Sequence, residues 1–441
     1  MKARLIPLYF DPGKDQDFDT QLAVLNNLLA DEVEILSPLP LGSRLPEAEA
    51  VVFPQLLGTA YRQKEFFQDL HLPLLVITSE FGTASMWDWE ITDYLRGEGV
   101  ELILPYNLEQ TRILVRGLAV KRELAQTKFL VFQDNPGKGF QPEIFKRFYW
   151  WEDECTLRMK EKFGLTIIKK SFRELAARAK EIPDEQAGQA WKSWQGRLDV
   201  SNISSRALSS AMKIYLAVKE ELAKDEHILG AGINCLNESH FSDTTPCLAW
   251  NLLYEERRLI WGCEADTVAM LTEYLLNKAL DVPVMMTNLY PFLMGQAALK
   301  HEHVPDFPKA EAPEDHILVA HCGYLGVLPV SFSTEWALRP KVLAIVDENA
   351  TAIDARLPEG DITMAKLGSG MDTLSIVEGT LEGYVQYPGS HCVNGGVIRV
   401  PDGRKLMHDL VSHHYIFAPG HHRTELELLA KVFDLKMEVI E

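Results

Sequence analysis

Along the first 125 residues, short apolar runs take turns with stretches of helical periodicity. "ARLIPLYF" precedes "FDTQLAVLNNLLAD", and "EVEILSP", "AEAVVFPQ", "LPLLVITS" and "VELILPY" recur between amphipathic segments such as "YRQKEFFQDL" and "WDWEITDYLRGEG". Strand and helix in alternation predict βα units on a parallel sheet. After the helix-like "NLEQTRILVRGLAVKRELA", the same pattern restarts at "TKFLVFQD" near residue 127. Further strands are expected at "LTIIKK", "ILGAGINC" and "RRLIWGC", with a long helix over "SSRALSSAMKIYLAVKEELAKD". The stretch "KHEHVPDFPKAEAPEDH", residues 300–316, sets three prolines among charges and reads as a linker. Beyond it the texture becomes antiparallel β, with short runs such as "HILVAHCG", "TAIDARL", "DITMAKLG", "TLSIVEG", "GYVQYPG" and "GGVIRVP" separated by glycine turns. The tail "TELELLAKVFDLKMEVIE" adds a helix and a strand.

The expected fold class is therefore α/β: two consecutive α/β domains with parallel sheets, followed by a C-terminal antiparallel β-rich, barrel-like domain. The expected boundaries are 1–125, 126–312 and 313–441. A chain of 441 residues is long enough for two or three hydrophobic cores.

Composition narrows the partners. With 44 Lys plus Arg against 63 Asp plus Glu, the net charge of −19 repels polyanions, so nucleic acid is not expected as a partner. No run approaches the ~18 apolar residues of a membrane span, and the start "MKARLIPLYFDPGKD" does not read as a secretory signal. The six cysteines, at 155, 235, 247, 263, 322 and 392, form no CxxC, which predicts a cytoplasmic protein with reduced, mostly buried thiols.

Candidate chemistry concentrates in three places. In "INCLNESHFSDTTPCLAWNLLYEERRLIWGCEAD", two strand-like runs each end on acids, and parallel neighbours deliver such residues to one carboxyl edge, where open α/β sheets bind ligands. Glu238 is expected to face Glu264 or Asp266 across a cleft, with 264 and 266 sharing one side of an extended segment. Carboxylates held together in a poorly solvated cleft repel unless a cation or proton lies between them, so a hard divalent ion is one explanation. The competing one is that Glu264 and Asp266 cap the helix that follows. The second place is "SHHYIFAPGHHRTELELL", where His413, His414, His421 and His422 flank a strand; imidazoles there suit a metal, and two HH pairs also suit a solvated turn. The third is "LVAHCGYLG", where His321 closes a strand and Cys322 follows. Its imidazole could meet a sugar hydroxyl or a metal, or be satisfied by backbone; the thiol reads as a core residue. "QDNPGKGFQPEIFKR" lacks the spacing of a phosphate loop, "LGSGMD" reads as a turn, and Trp150 and Trp151 read as core aromatics.

Together these motifs resemble the L-fucose isomerase and L-arabinose isomerase superfamily. "WGCEADTVAML" is similar to the fucose isomerase segment in which a T-E-N-D run precedes an apolar helix, its Asp binding manganese; this maps to Asp266. "YIFAPGHHRTELELLAKVFDLKMEVI" looks like the arabinose isomerase ending, whose second His of the pair is a ligand, which maps to His422. The first acidic ligand falls in "INCLNESHFSD", at Glu238, with Asp243 as the other choice, and an M-E-D run in arabinose isomerases points to Glu264. A second ligand His of the arabinose enzymes has no clear counterpart.

The resemblance implies a metal-dependent aldose–ketose isomerase acting on a free or modified sugar through an ene-diol. Glu238 and Asp266 would combine metal binding with proton transfer, His422 would complete a Mn²⁺ site, and His321, Glu264 and His421 would line the substrate. It also implies a homotrimer or homohexamer. The other functions open to this pattern are a non-catalytic sugar-binding or regulatory homologue, and a metal-dependent aldolase or dehydratase using the same enediolate chemistry.

Overall fold

The computed structural model describes the chain except residues 12, 135–151, 292–296, 298–299, 302, 305–311, 322–325, 327–331, 342–345, 388–389 and 391–393. Trp150, Trp151, Cys322, Cys392, most of the glycine-rich stretch after Asp134 and the middle of the expected linker thus lie outside the described residues. The chain forms two compact units. The first comprises Met1–Ala125 with Lys278–Leu280 and Thr424–Leu435; the second comprises Gln126–Asn277, Asp281–Arg423 and Lys436–Glu441. The expected second and third domains therefore fall within one unit.

In the first unit, β1 (Ala3–Tyr9), β2 (Val33–Ile35), β4 (Ala50–Phe53), β5 (Leu74–Val76) and β6 (Leu102–Ile103) form a parallel sheet in the order β2-β1-β4-β5-β6, with the two-residue β3 (Leu39–Pro40) on β1. The strands are continuous apolar runs because helices cover both faces of such a sheet. Phe10, Phe53 and Phe67 stack in its core with ring centroids 5.1–5.9 Å apart. Gly117, in the helix Leu108–Leu124, leaves room for Leu429 of the helix Arg423–Val432: a Cβ there would lie 2.7 Å from the leucine side chain.

The second unit opens on a four-stranded parallel sheet of β7 (Lys128–Phe132), β8 (Thr166–Lys170), β9 (Ile228–Ile233) and β10 (Ile260–Cys263), in the order β10-β9-β7-β8. The helix Cys247–Arg257 joins β9 to β10, and the buried helix Thr267–Leu280 leaves β10. The C-terminal part is a closed six-stranded antiparallel barrel. Its strands are β11 (Met285–Pro291), β12 (His316–Ala320), β15 (Gly360–Leu367), β16 (Thr373–Val385), β17 (Gly395–Arg399) and β18 (His414–Pro419). They run β15-β18-β11-β12-β17-β16, and the β15–β16 hairpin closes the ring. A short β19 (Lys436–Val439) pairs in parallel with β16, and β13 (Glu335–Pro340) and β14 (Thr351–Arg356) form a separate hairpin.

The barrel departs from the pattern in two respects. Its first strand, β11, precedes the expected boundary at 312, because "MMTNLYP" pairs with β12 and β18 rather than extending the parallel sheet. "TLSIVEG" and "GYVQYPG" are not two runs with a glycine turn between them; β16 passes straight through. Gly379 is there because β17 comes close: a Cβ would lie 2.5 Å from the Arg399 carbonyl oxygen. A register shift between Leu381 and Gly383 then bends the strand around the barrel.

Candidate functional site

The acids singled out above follow β9 and β10, at the carboxyl edge of their parallel sheet. β10 ends at Cys263, and Glu264 and Ala265 both take left-handed backbone, each with φ 55°. The expected extended segment is therefore a tight turn. It is pinned by Ala265 N–H donating to the Ile233 carbonyl and Asp266 N–H to that of Cys263, each at 3.1 Å. Gly232 permits this, since a Cβ there would lie 3.2 Å from Ala265 Cα. Two consecutive non-glycine residues in this region cost on the order of 1–3 kcal/mol each. The turn places Asp266 at the mouth of the helix Thr267–Leu280.

Asp266 is fully buried, and both of its oxygens are engaged. Oδ1 accepts from Ala269 N–H at 2.8 Å, so the helix cap is real. Oδ2 accepts from Lys366 Nζ at 3.0 Å and from His414 Nδ1 at 2.8 Å. Burial alone would raise this carboxyl, but the Lys366 ammonium and the His414 hydrogen bond hold it well below the usual carboxylate range. Burial depresses Lys366 and His414 in turn, the nearby Asp266 notwithstanding. Glu273, two helical turns further along, is also fully buried; burial pushes its carboxyl well up, and it accepts from the Trp261 backbone N–H at 3.3 Å.

Around His414 the barrel register gathers further groups. Asn288 of β11 lies opposite His414 on one side and Ala320 on the other, which puts His321 and His414 at the same end of the two strands that flank β11. Their rings sit 6.2 Å apart in a T-shaped arrangement, and Trp261 flanks His321 at 6.1 Å. His321 is 4 % exposed, and neither ring nitrogen has a hydrogen-bond partner among the described residues. Glu264, the partly exposed member of the group, brings Oε1 to 3.9 Å from His414 Nε2. Two carboxylates from one turn thus address opposite nitrogens of a single buried imidazole.

The other expected site residues are engaged elsewhere. Glu238 is buried just beyond β9, and both of its oxygens accept from Asp134 N–H, at 2.9 and 3.0 Å, on the β7 side of the sheet. Asp134 in turn accepts from the Ser171 hydroxyl at 2.6 Å. Asp243 takes the Ser210 hydroxyl at 3.2 Å and lines a cleft of about 620 Å³ with Asp184, Trp191, Arg206 and Lys213. His422 Nε2 meets the Pro419 carbonyl at 2.7 Å, and His421 Nε2 meets that of Gly379 at 3.2 Å. The reason is strand geometry. His414 opens β18 and Pro419 closes it, so about 17 Å of extended chain separates the two HH pairs. The first pair reaches Asp266; the second forms a turn, tied by Thr363 to the Gly420 carbonyl and the His422 N–H.

Each of the expected trio for an ion, Glu238, Asp266 and His422, has partners of its own in the fold. Among the described residues no three His, Cys, Asp or Glu side chains converge on a ready-made metal position, and Lys366 already supplies the cation beside Asp266. Beside His414 lie His321 and Glu264: a second imidazole, whose ring nitrogens have no hydrogen-bond partner among the described residues, and a carboxylate. Asp266 fixes the His414 ring through Nδ1.

Lys366 is the member that sequence reasoning missed, and His414 was named among the four candidate histidines but passed over for His422. Lys366 carried a readable signal: it falls at i, i+2, i+4 with Ile362 and Met364, on the same side of a strand, so an inward lysine could have been expected. No protein-family model matches the chain, and no curated protein matches it either.

Proposed function

We propose that the chain is a divalent-metal-dependent aldose–ketose isomerase of the fucose and arabinose kind, acting in the cytoplasm as a homo-oligomer on a free or modified sugar through an ene-diol. The observation that carries this reading is the buried His414 held at Nδ1 by Asp266, with Nε2 facing Glu264 and His321 alongside. His414, His321 and Glu264 would hold the ion, Mn²⁺ being the one that the family resemblance implies. When bound, such an ion polarises a carbonyl and lowers the pKa of a neighbouring hydroxyl.

The chain's own groups do the rest. Asp266 keeps the His414 ring in place, and Lys366 balances Asp266 so that no net charge is left buried. Glu264, the least enclosed carboxylate of the group, takes the proton from one carbon and returns it to the next. Glu238, at the end of the adjacent strand β9, is the second carboxylate at the same edge. The same conversion moves a hydroxyl proton from O2 to O1, which calls for a second acid–base group beside Glu264.

Lys366 also favours a second reading, a sugar-binding protein that takes up no ion, because an ammonium 3.0 Å from Asp266 already neutralises the site. The discriminating experiment is Mn²⁺ titration of the purified protein by electron paramagnetic resonance, followed by assays on pentoses, 6-deoxyhexoses and sulfonated hexoses. The isomerase reading expects one bound ion, ketose product, and loss of both in His414→Ala. Metal bound without turnover of any aldose counts against it, and sugar binding without metal selects the second reading.

A further inference from the structure

Two carboxamides stand beside the Glu264 turn. β7 ends at Phe132 and β9 at Ile233, which are paired, so Gln133 and Asn234 follow as neighbours at the carboxyl edge. Backbone bonds keep both in the ladder: Gln133 N–H donates to the Lys170 carbonyl at 2.9 Å, and Asn234 N–H to that of Phe132 at 3.0 Å. Ile233 is also paired with Cys263, so the row at this edge reads Gln133, Asn234, Glu264. Side chains alternate along a strand, and a Cβ on Gly232 would lie 3.2 Å from Ala265 Cα, so Asn234 projects to the side of the turn. Gln133 shares that side with Phe129, whose ring would lie 2.6 Å from a Cβ on Gly230. We propose that Asn234, with Gln133 next to it, is a specificity-determining residue whose carboxamide binds hydroxyl groups of the sugar beyond the two carbons that exchange the proton. The proposal rests on the reading of this edge as a sugar site given above.

Asn234 is fully buried, and among the described residues neither Oδ1 nor Nδ2 has a hydrogen-bond partner. Gln133 leaves Oε1 without one as well. A carboxamide brings two N–H donors and an acceptor oxygen, and sealing them from water unpaired is costly. On its own side of β9, Asn234 follows Gly230 and Gly232, positions cut back so that Phe129 and Met270 can pack. An apolar residue would continue that packing at no polar cost, so a carboxamide there is explained by a ligand that pairs with it. The atoms left over name the ligand's chemistry. Two acceptor oxygens, Asn234 Oδ1 and Gln133 Oε1, call for donors. Hydroxyls both donate and accept, so adjacent hydroxyls of a sugar chain satisfy the oxygen and the nitrogen of one carboxamide together. Ionised phosphate or sulfonate oxygens only accept, and would leave both amide oxygens facing like charge. The other occupant such a group admits is a buried water, which is an outcome of the test. The row is least enclosed at its two ends, where Gln133 is 9 % and the Glu264 side chain 12 % exposed.

The test couples the residue to the hydroxyls. Binding of ribitol, xylitol, arabinitol, fucitol and their monodeoxy forms to the purified protein is measured by calorimetry, with and without Mn²⁺. Wild type is compared with Asn234→Leu, which is close in size and apolar. Without a polyol the variant is expected to melt above the wild type, because a buried polar group that pairs with nothing gives way to an apolar one. Its affinity for the tightest-binding polyol is expected to fall about 10–100-fold, as when a buried hydroxyl loses its partner. Deleting the hydroxyl that Asn234 holds should weaken binding to the wild type and leave binding to the variant unchanged, a coupling that a structural role would not produce. Equal losses from every deoxy form in both proteins overturn the proposal. So does a variant that melts below the wild type and binds the polyols as tightly, since the carboxamide then pairs with a fixed water. A wild type that binds none of the polyols overturns it too. Should Asn234→Leu not fold, Asn234→Ala carries the same comparison of deoxy forms. The two readings fail separately. Polyol binding coupled to Asn234 without turnover of any aldose counts against the isomerase alone, whereas full kcat/KM for a converted aldose in Asn234→Leu counts against Asn234 alone.

Discussion

Asp266 takes three donors on two oxygens at a point closed to solvent, and that arrangement sets how single changes there should behave. Asp266→Asn keeps the shape and removes the charge, leaving the Lys366 ammonium buried without its counter-ion. A loss of about 3–5 kcal/mol in urea unfolding is expected, the usual cost of breaking one side of a buried pair. His422→Ala removes only a turn contact, and should cost under about 1 kcal/mol and leave Mn²⁺ affinity unchanged. The acid–base groups give opposite pH signatures. His414 has its folded pKa below the ordinary 6.5, so the unfolded chain binds the extra proton; its contribution is fully present above pH 6.5 and is lost as pH falls below it. Glu273 has its folded pKa raised well above 4.5, so the folded state holds the proton, and stability falls as pH rises from 4.5 through the folded value. Glu273→Gln, which keeps an acceptor for the Trp261 N–H, is expected to flatten that fall and to unfold at higher urea than the wild type at pH 8 but not at pH 4. An unchanged pH profile in this variant would show that Glu273 is ionised in the fold.

The turn after β10 and the strand β18 do most to assemble the group. A left-handed pair at Glu264 and Ala265 cannot be read from residue types that favour neither glycine nor asparagine there, so an extended segment was the reasonable expectation and the wrong one. The pair of acids nonetheless acts on one side, because the turn aims them at the two nitrogens of one ring. Close packing holds the turn to its helix: Gly262 leaves no room for a Cβ, which would lie 2.7 Å from the Met270 side chain. Gly262→Ala is therefore expected to destabilise by about 1–3 kcal/mol and to weaken the His414 site, and Met270→Ala in the same chain should restore part of the stability. Melting curves of the single and double variants check this; additive losses would mean that the two positions do not share the contact. Choosing between the HH pairs was beyond local pattern for a similar reason. Both flank the same apolar run, and only the pairing of β18 with β11 and β15 shows which end meets the acids.

The chain leaves its first unit at residue 125 and returns to it at Thr424–Leu435, where Leu429 and Val432 pack against the Gly117 side of the helix Leu108–Leu124. A fragment of residues 1–125 should therefore bury its core incompletely. Adding a peptide of residues 423–436 is expected to raise its melting temperature in a concentration-dependent way, and no shift at saturating peptide would show that the parallel sheet is self-sufficient. Among the described residues no helix is long and apolar enough to cross a membrane. The βα alternation of the first two-thirds and the antiparallel character of the last third were legible from residue order, because hydrophobic periodicity is a local property and each strand or helix carries its own. So was the gathering of acids at one sheet edge, which parallel connection alone requires. Which acid, which histidine and which lysine share a point was settled by barrel closure. The register of β11, β12, β15 and β18 brings together residues 266, 321, 366 and 414, and contacts across 93 to 148 positions leave no trace in any window of the chain short enough to show a period.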